Sequence, residues 1–429
     1  MESLTPKRPH FSLWPADLHP TVKRLMTVRA MRSVVQGALA VDFVLYLHAM
    51  KWSGIDIGLL LSGGGIANTL FALTVGTLSD RYGRKPFILT YQILSVITTV
   101  IALITANPFY LVPAAILGGL GRGANGAAGG FGPAEMAWIA GYVSPAQRPR
   151  VYSTNSAFGF IGMGIGALLA SSPALFHLWL PGPLSYRPLF AIGVIVAIAG
   201  LLIIVAIPED RRHQQSDPEP AARTRKQENQ LLSKLILTNM LNGLAIGVTG
   251  PLISYWFAIR FHIGPSAIAP VMALALFATG LSSVFQGRLA ERIGAVRTVV
   301  WSRAGGLILL IMLPLMPLYP LAALVYLLRS ICNRSTIGLR QALTLSLVQE
   351  DRHGLAISLN AVSMQLPQSV GPTIAGYLFE MGQLNLPFFV AAALQGVYVV
   401  LYDRIFRPHE PPRPGSERIE PNGVVNDLQ

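Results

Sequence analysis

The most constraining feature of the sequence is a short charged motif that occurs twice, about half a chain apart. Residues 76–88 read GTLSDRYGRKPFI and residues 287–299 read GRLAERIGAVRTV, and each copy lies between two apolar runs. Five positions agree at one constant offset: Gly76 with Gly287, Leu78 with Leu289, Asp80 with Glu291, Arg81 with Arg292, and Gly83 with Gly294. A charged tight turn repeated between apolar segments is typical of a duplicated membrane protein.

The composition also indicates a membrane protein. Only 12% of the residues are charged and 52% are hydrophobic, whereas a soluble domain carries roughly 25% charged residues. Apolar runs of about 20 residues, long enough to cross ~30 Å of hydrocarbon, recur along the chain. We predict twelve spans, at residues 28–50, 55–77, 87–106, 109–131, 153–173, 187–207, 233–257, 267–287, 297–317, 319–345, 355–379 and 386–406.

The first motif copy also carries a family resemblance. Its pattern G-x-L-x-D-R-x-G-R-K matches, at every fixed position, the loop between helices 2 and 3 of the major facilitator superfamily, so the chain resembles a secondary transporter. The resemblance implies an all-α membrane fold of twelve transmembrane helices in two pseudo-symmetric six-helix bundles. We expect the N-terminal bundle at residues 1–207 and the C-terminal bundle at 232–407. A charged cytoplasmic linker is expected at 208–231 and a disordered cytoplasmic tail at 408–429.

The basic residues predict the orientation in the membrane. With both termini in the cytoplasm, 26 of the 33 Lys and Arg residues fall on the inner side, and only Lys51, Arg187 and Arg260 fall on the outer side. The positive-inside rule therefore places both termini in the cytoplasm, and the resemblance to bacterial exporters implies the inner membrane. Because the basic residues are spread over many short loops, the net charge of +13 does not indicate nucleic-acid binding.

One acidic residue is a candidate for proton coupling. A charge inside hydrocarbon costs at least ~2.5–3.5 kcal/mol on insertion scales, so such residues usually have a function. Among the 20 acidic residues, only Asp42 lies well within a predicted span. A buried carboxyl takes up a proton more readily than one in water, and a nearby cation opposes this. The alternatives are a structural carboxylate paired permanently with one arginine and a side chain that faces lipid or water.

Several arginines are candidates for binding substrate. Arg122 and Arg329 lie in predicted helices 4 and 10, Arg334 follows in helix 10, and Arg340 lies nearer the inner surface. Asn125 and Asn333 share a helix face with Arg122 and Arg329, because residues three or four apart are neighbours on a helix. Guanidinium and amide groups suit a carboxylate, phosphate or sulfate, although such arginines can also be packing struts. The resemblance implies that helices 1, 4, 7 and 10 line the cavity, which adds Gln36, Tyr46, Asn239 and Asn242.

The repeated motif itself is predicted to be a conformational latch. Asp80 should accept hydrogen bonds from the start of helix 11, where a helix N-terminus favours an anion. Arg81 or Arg84 should pair with Glu135 at the inner end of helix 4. The second copy keeps Glu291 and Arg292 but has Ala295 in place of Arg84. We therefore expect an asymmetric latch in which the first half dominates.

The sequence contains no pattern typical of an enzyme. The eight His residues are scattered without metal-ligand spacing, and Cys332 is the only cysteine, so we expect no metal, no cofactor and no catalysis. The leading hypothesis is a monomeric transporter, surrounded by membrane lipid, that exports a small organic molecule in exchange for protons. The alternatives are uptake or exchange of an organic anion, and a membrane sensor or assembly partner that does not transport.

Overall fold

The computed structural model describes residues 18–121, 129–143, 148–176, 178–208, 222–348 and 353–409, and this part of the chain is helical without any strand. The α-helices are α1 (Pro20–Ala49), α2 (Gly54–Tyr82), α3 (Arg84–Ile104), α4 (Pro108–Gly118), α5 (Gly132–Ala140), α6 (Arg148–Leu169), α7 (Ser172–Phe176), α8 (Arg187–Val205), α9 (Ala222–Thr249), α10 (Ile253–Phe261), α11 (Pro265–Ile293), α12 (Ala295–Met312), α13 (Tyr319–Arg334), α14 (Ile337–Ser346), α15 (His353–Glu380) and α16 (Leu386–Phe406).

The helices coincide with the twelve predicted spans. Nine spans correspond to one helix each, and the seventh and tenth correspond to the consecutive pairs α9 with α10 and α13 with α14. The fourth begins with α4 and ends just before α5, with residues 122–128 outside the described chain. Eight helical stretches are by themselves long and apolar enough to cross a bilayer, counted over the described residues. The predicted all-α membrane fold is confirmed.

The helix boundaries differ from the prediction mainly at α9. This helix begins at Ala222, inside the segment 208–231 that the sequence assigns to the linker. Residues 222–230 read ARTRKQENQ, which is rich in strong helix formers. Because extending an existing helix avoids the cost of nucleation, these polar residues continue the apolar helix that follows them. Residues 209–221 and the predicted tail after His409 lie outside the described chain.

The same helix contacts occur in each half. In the first half, α1 packs on α6 and α3 packs on α8; in the second half, α9 packs on α15 and α12 packs on α16. The two bundles meet along α2 with α15 and along α6 with α11. The repeated pairing therefore gives two similar bundles. They are joined by two equivalent helix–helix contacts, α2 with α15 and α6 with α11, which are here called the seams.

Close helix contacts depend on glycine at a few positions. A Cβ added at Gly166 of α6 would overlap the carbonyl oxygen of Val34 on α1, and one at Gly162 would lie 2.6 Å from the Ala30 oxygen. Across the seam between bundles, a Cβ at Gly58 would overlap the carbonyl oxygen of Pro372. Small residues allow helix backbones to approach this closely in a membrane.

The buried apolar core is continuous at one end of the molecule and divided at the other. We call the end at which the described chain begins and finishes the termini face. Near the opposite face, one cluster joins residues 38–47 of α1 to aromatic residues of the second bundle, such as Trp256 and Phe379. Near the termini face, the first bundle has its own cluster around Met26 and Trp138. The second bundle has a separate one around Val299 and Tyr402. The bundles therefore share a core only near the face opposite the termini.

Candidate functional site

Asp42 lies in the shared core near the opposite face. It is 1% exposed, and neither carboxylate oxygen has a hydrogen-bond partner among the described residues. Asp42 follows Val35 by seven residues, so it lies on nearly the same side of α1 as Val35, which approaches Gly193 of α8. Its near neighbour is Tyr186, just before α8. Asp42 therefore faces the interior of the first bundle.

Tyr46 belongs to the same region. Its ring lies 5.6 Å from the ring of Tyr186 and 5.3 Å from that of Phe190, measured between centroids. This places the predicted substrate residue in an aromatic cluster within the first bundle.

The predicted residues Arg122 and Asn125 lie outside the described chain. The last described residue before them is Gly121, which has a positive φ of 72°. A Cβ at Gly121 would lie 3.2 Å from Cγ of Phe43, so the chain leaves α4 beside the neighbour of Asp42.

Of the two predicted partners of Glu135, Arg84 bonds elsewhere, and the side chain of Arg81 lies outside the described set, so that pairing stays a prediction. Glu135 accepts a 2.5 Å hydrogen bond from Nη2 of Arg32, and its other oxygen lies 3.6 Å from Nη1 of Arg29. Arg84 instead donates to the carbonyl oxygen of Ala137 at 2.5 Å. Because Glu135 points from α5 toward α1, its partners come from the bundle interior.

The remaining members of the predicted latch are only partly described. The side chains of Asp80, Arg81 and Glu291 lie outside the described set, and so do the surroundings of Gly76. Gly83 and Gly294 occupy equivalent turns, with φ of 95° and 99°, and Arg292 is exposed at the end of α11. Glycine adopts these positive φ values without the steric cost that other residues have. Hence the two motif copies make the same backbone turn, and the latch contact of Asp80 stays a prediction.

A small polar cavity lies inside the first bundle. Its volume is about 50 Å³, and it is bounded by α1, α3, α4 and α8. Arg32, Gln36 and Gln92 provide polar side chains on its wall. The cavity has room for a few water molecules and is too small for a drug-sized ligand. Gln36, predicted to bind substrate, therefore lies beside this internal cavity.

The corresponding interior of the second bundle contains an arginine, Arg303, that is not among the predicted site residues. Arg303 is 1% exposed in the middle of α12. Its Nη1 donates to Oδ1 of Asn242 at 3.1 Å, and its guanidinium carbon lies 5.5 Å from the ring centroid of Tyr398. The predicted span 297–317 contains Arg303, so its position in the sequence already indicates an intramembrane charge. The repeat gave a further signal, because Arg303 follows Gly294 by nine residues as the buried Gln92 follows Gly83.

The predicted amides of the second bundle have partners within that bundle. Asn333 accepts a 3.0 Å hydrogen bond from Gln395. Asn239 donates to Asn360 at 2.9 Å and to Ser363 at 3.2 Å. Together with Asn242, these amides form hydrogen bonds between helices of the second bundle.

The predicted arginines of helix 10 lie within electrostatic range of one another or of Arg303. Nη2 of Arg329 donates to Oγ1 of Thr249 at 3.1 Å, which connects α13 to the end of α9. Arg334 lies near enough to repel Arg329, and both Arg340 and Arg329 lie near enough to repel Arg303. The structure therefore assembles four arginines in the second bundle.

The seam between α2 and α15 carries polar contacts between the bundles. The backbone N–H of Gly54 donates to Oε2 of Glu380 at 2.8 Å, at the opposite face. Thr373 donates to Ser62 at 2.7 Å. Farther from that face, Asn68 donates to Gln365 at 3.0 Å. These contacts could not be predicted from sequence, because only the tertiary structure shows that α2 and α15 face each other.

Comparisons with known proteins agree with this architecture. The family model described as Major Facilitator Superfamily matches residues 25–234 and 235–425. The quinolone resistance protein NorA of Staphylococcus aureus is 25% identical over 84% of this chain and 91% of its own length. The multi-drug resistance efflux pump PmrA of Streptococcus pneumoniae serotype 4 is 26% identical over 57% of this chain and 59% of its own.

Two solved structures share the fold. The nucleoside transporter NupG has a TM-score of 0.65 at 14% identity, covering 91% of this chain and 100% of that one. A bacterial homolog of the human lysosomal transporter Spinster, in an inward-facing and occupied conformation, has a TM-score of 0.68 at 15% identity. That match covers 90% of this chain and 96% of the homolog. The chain is therefore an integral membrane protein that belongs to the major facilitator superfamily.

Proposed function

We propose that this protein exports a small organic molecule across a bacterial plasma membrane by alternating access, driven by protons. The observation that carries the proposal is the asymmetric core. One buried cluster joins the bundles near the opposite face, whereas each bundle has its own cluster near the termini face. Such an arrangement closes one side and leaves the other available for substrate entry.

The orientation of the protein in the membrane and the names of two relatives both favour transport out of the cell. The excess of Lys and Arg on the termini face supports a cytoplasmic location for that face. A molecule would then enter from the cytoplasm, as an exporter requires. The names of NorA and PmrA, a resistance protein and an efflux pump, support the same direction.

The seams between the bundles support a rocking motion. The polar contacts along α2 and α15 run from Gly54 with Glu380 to Asn68 with Gln365. For the opposite face to open, the contact between Gly54 and Glu380 must break while the bundles tilt about the rest of the seam. Few polar bonds are lost in such a movement, since each bundle keeps its internal contacts.

Asp42 supports proton coupling. Its carboxyl is buried without a hydrogen-bond partner among the described residues, and an unpaired charge in such a place is costly. A carboxyl of this kind can bind a proton in one conformation and release it when water or a cation reaches it in another. We therefore keep Asp42 as the proposed coupling residue.

The test is transport by purified protein in liposomes with a fluorescent quinolone as the first substrate. With the lumen more acidic than the outside, a proton antiporter should accumulate the quinolone inside, above the level in protein-free liposomes. Asp42→Asn should abolish this accumulation but keep exchange of labelled for unlabelled quinolone. Asp56→Asn is the matched control, because Asp56 is exposed at the start of α2. Gradient-driven accumulation by Asp42→Asn would contradict proton coupling through this residue.

A second candidate is exchange or uptake of an organic anion. It is favoured by the four arginines that the second bundle brings together. A counterflow assay separates anion exchange from proton-driven export. An exchanger moves labelled substrate without a pH gradient and does not accumulate the substrate when a pH gradient is imposed.

A further inference from the structure

We propose that Arg303, Arg329, Arg334 and Arg340, here called the arginine cluster, bind an acidic group of the transported molecule. The ligand class is an organic carboxylate, phosphate or sulfonate. The inference rests on the proposed transport function and names its substrate class.

The first argument is that the second bundle has no acidic residue to neutralise the cluster from within its spans. Between Glu228 and Asp403, the acids are Glu291, Glu350, Asp351 and Glu380. All of these lie at or beyond helix ends, whereas Arg303 and Arg329 lie well inside their helices. Apart from Glu228, which is buried near the start of α9, the helices of the second bundle therefore carry no acidic residue at the depth of Arg303 and Arg329.

The second argument is that the bonds of the cluster are few and neutral. Arg303 donates to the amide of Asn242, and Arg329 donates to the hydroxyl of Thr249. Among the described residues, a buried nitrogen without a partner remains on each of the four side chains, namely Nε of Arg303, Nε of Arg329, Nη1 of Arg334 and Nε of Arg340. Arg303 is 1% exposed and the other three side chains are half-buried, so these nitrogens are donors that an entering anion could use.

The third argument is the contrast with the first bundle. There, Arg29 and Arg32 share the carboxylate of Glu135, which is 5% exposed. The first bundle thus gives its two buried arginines one shared carboxylate, whereas the partners of Arg303 and Arg329 among the described residues of the second bundle are neutral. A structural role needs a permanent counter-charge, whereas a binding site needs one that can arrive and leave.

The geometry suits an anion that enters from the termini face. Arg329 lies in α13 and Arg340 in α14, so the two arginines stand on consecutive helices. Arg340 is the nearer of the two to the termini face, where the bundles have separate cores. An entering anion meets Arg340 first and Arg329 last. Each guanidinium can offer two parallel N–H donors to a carboxylate or phosphate.

The test uses the purified full-length protein and four ligands that share a phenyl ring but differ in charge. These are benzoate, phenylphosphonate, neutral benzamide and cationic benzyltrimethylammonium, each titrated against the thermal unfolding midpoint. We expect saturable stabilisation by the two anions only. Equal stabilisation by benzamide, or none by either anion, would overturn the proposal.

Variants locate the site. Arg329→Gln should weaken anion binding at least tenfold, and Arg329→Lys should weaken it less. Arg297→Gln is the matched control, because Arg297 is exposed on α12 near its start. Arg303→Gln should also weaken anion binding. If this variant does not fold, the anion affinity of Arg334→Gln is measured in its place. Unchanged anion affinity in both Arg329→Gln and Arg334→Gln would refute the cluster.

The quinolone flux assay separates this inference from the proposed function. If the wild-type protein exports the quinolone but binds benzoate and phenylphosphonate no better than benzamide, the arginine cluster is refuted and the proposed export is not. Anion binding that depends on Arg329, in a protein without gradient-driven flux, would refute proton-driven export and leave the cluster standing.

Discussion

The substitution Glu135→Gln tests whether the buried carboxylate holds the first bundle together. Glu135 is 4% exposed, and its two oxygens lie 2.5 Å from Nη2 of Arg32 and 3.6 Å from Nη1 of Arg29. Gln keeps the shape but removes the charge, so two buried guanidinium groups lose their shared anion. Removing one partner of a buried ion pair costs about 3–5 kcal/mol. We expect a loss of unfolding free energy in that range.

The assay is unfolding of the purified protein, followed by intrinsic fluorescence during heating and during titration with a denaturing detergent. Asp403→Asn is the control, because Asp403 pairs with Arg407 at 3.4 Å on the surface, with side-chain exposures of 28% and 53%. Surface pairs of this kind contribute about 0–1 kcal/mol. If Glu135→Gln were no more destabilising than Asp403→Asn, the interpretation of the buried network would be wrong.

A double variant makes the test specific. Arg32→Gln alone also breaks the network, but in Glu135→Gln/Arg32→Gln both groups become neutral amides that can bond to each other. Residues in one charged network show coupling of about 0.5–3 kcal/mol. The double variant should therefore be more stable than the sum of the two single losses, and strict additivity would contradict a direct pair.

The other predictions concern the two gates and the helix seams. Asp80→Asn should open the termini face more than Glu291→Gln does, because the second motif copy lacks two basic residues of the first; cysteine labelling measures this, and equal effects would refute the asymmetric latch. Glu380→Gln removes a negative charge from the start of α2, so labelling at the opposite face should rise roughly two- to fivefold. Unchanged labelling would show that this contact does not hold the gate. Gly166→Ala should destabilise the protein by about 1–3 kcal/mol through overpacking, whereas Gly264→Ala, with open space around it, should have little effect on the same unfolding midpoint.

The twelve spans and the two repeats were predictable because their signals are local. An apolar run of about 20 residues specifies a membrane-crossing helix whatever its neighbours are. The turns after Gly83 and Gly294 are likewise specified by a few consecutive residues, and the structure gives both the same backbone conformation. The identification of Asp42 as a buried acid also needed only its depth within a span.

The pairing of the charged residues could not be predicted in the same way. Sequence distance placed Glu135 near Arg84 at the termini face, but the rotation of α5 directs its carboxylate to Arg29 and Arg32. Asn242 and Asn333 were assigned to a substrate cavity, and the packing of α9, α12, α13 and α16 gives them partners within the bundle. Which side of a helix faces a neighbour depends on every helix in the bundle.

The sequence by itself determined the membrane location, the duplicated helical halves and the excess of cations over acids in the second half. The tertiary structure alone decided which arginines share a carboxylate and which do not, and at which face the bundles join. The physical reason is the distance along the chain over which each effect acts. Hydrocarbon thickness and turn geometry act on consecutive residues, whereas charge neutralisation and core continuity depend on atoms that are 100 or more residues apart, such as Nη2 of Arg32 and Oε2 of Glu135.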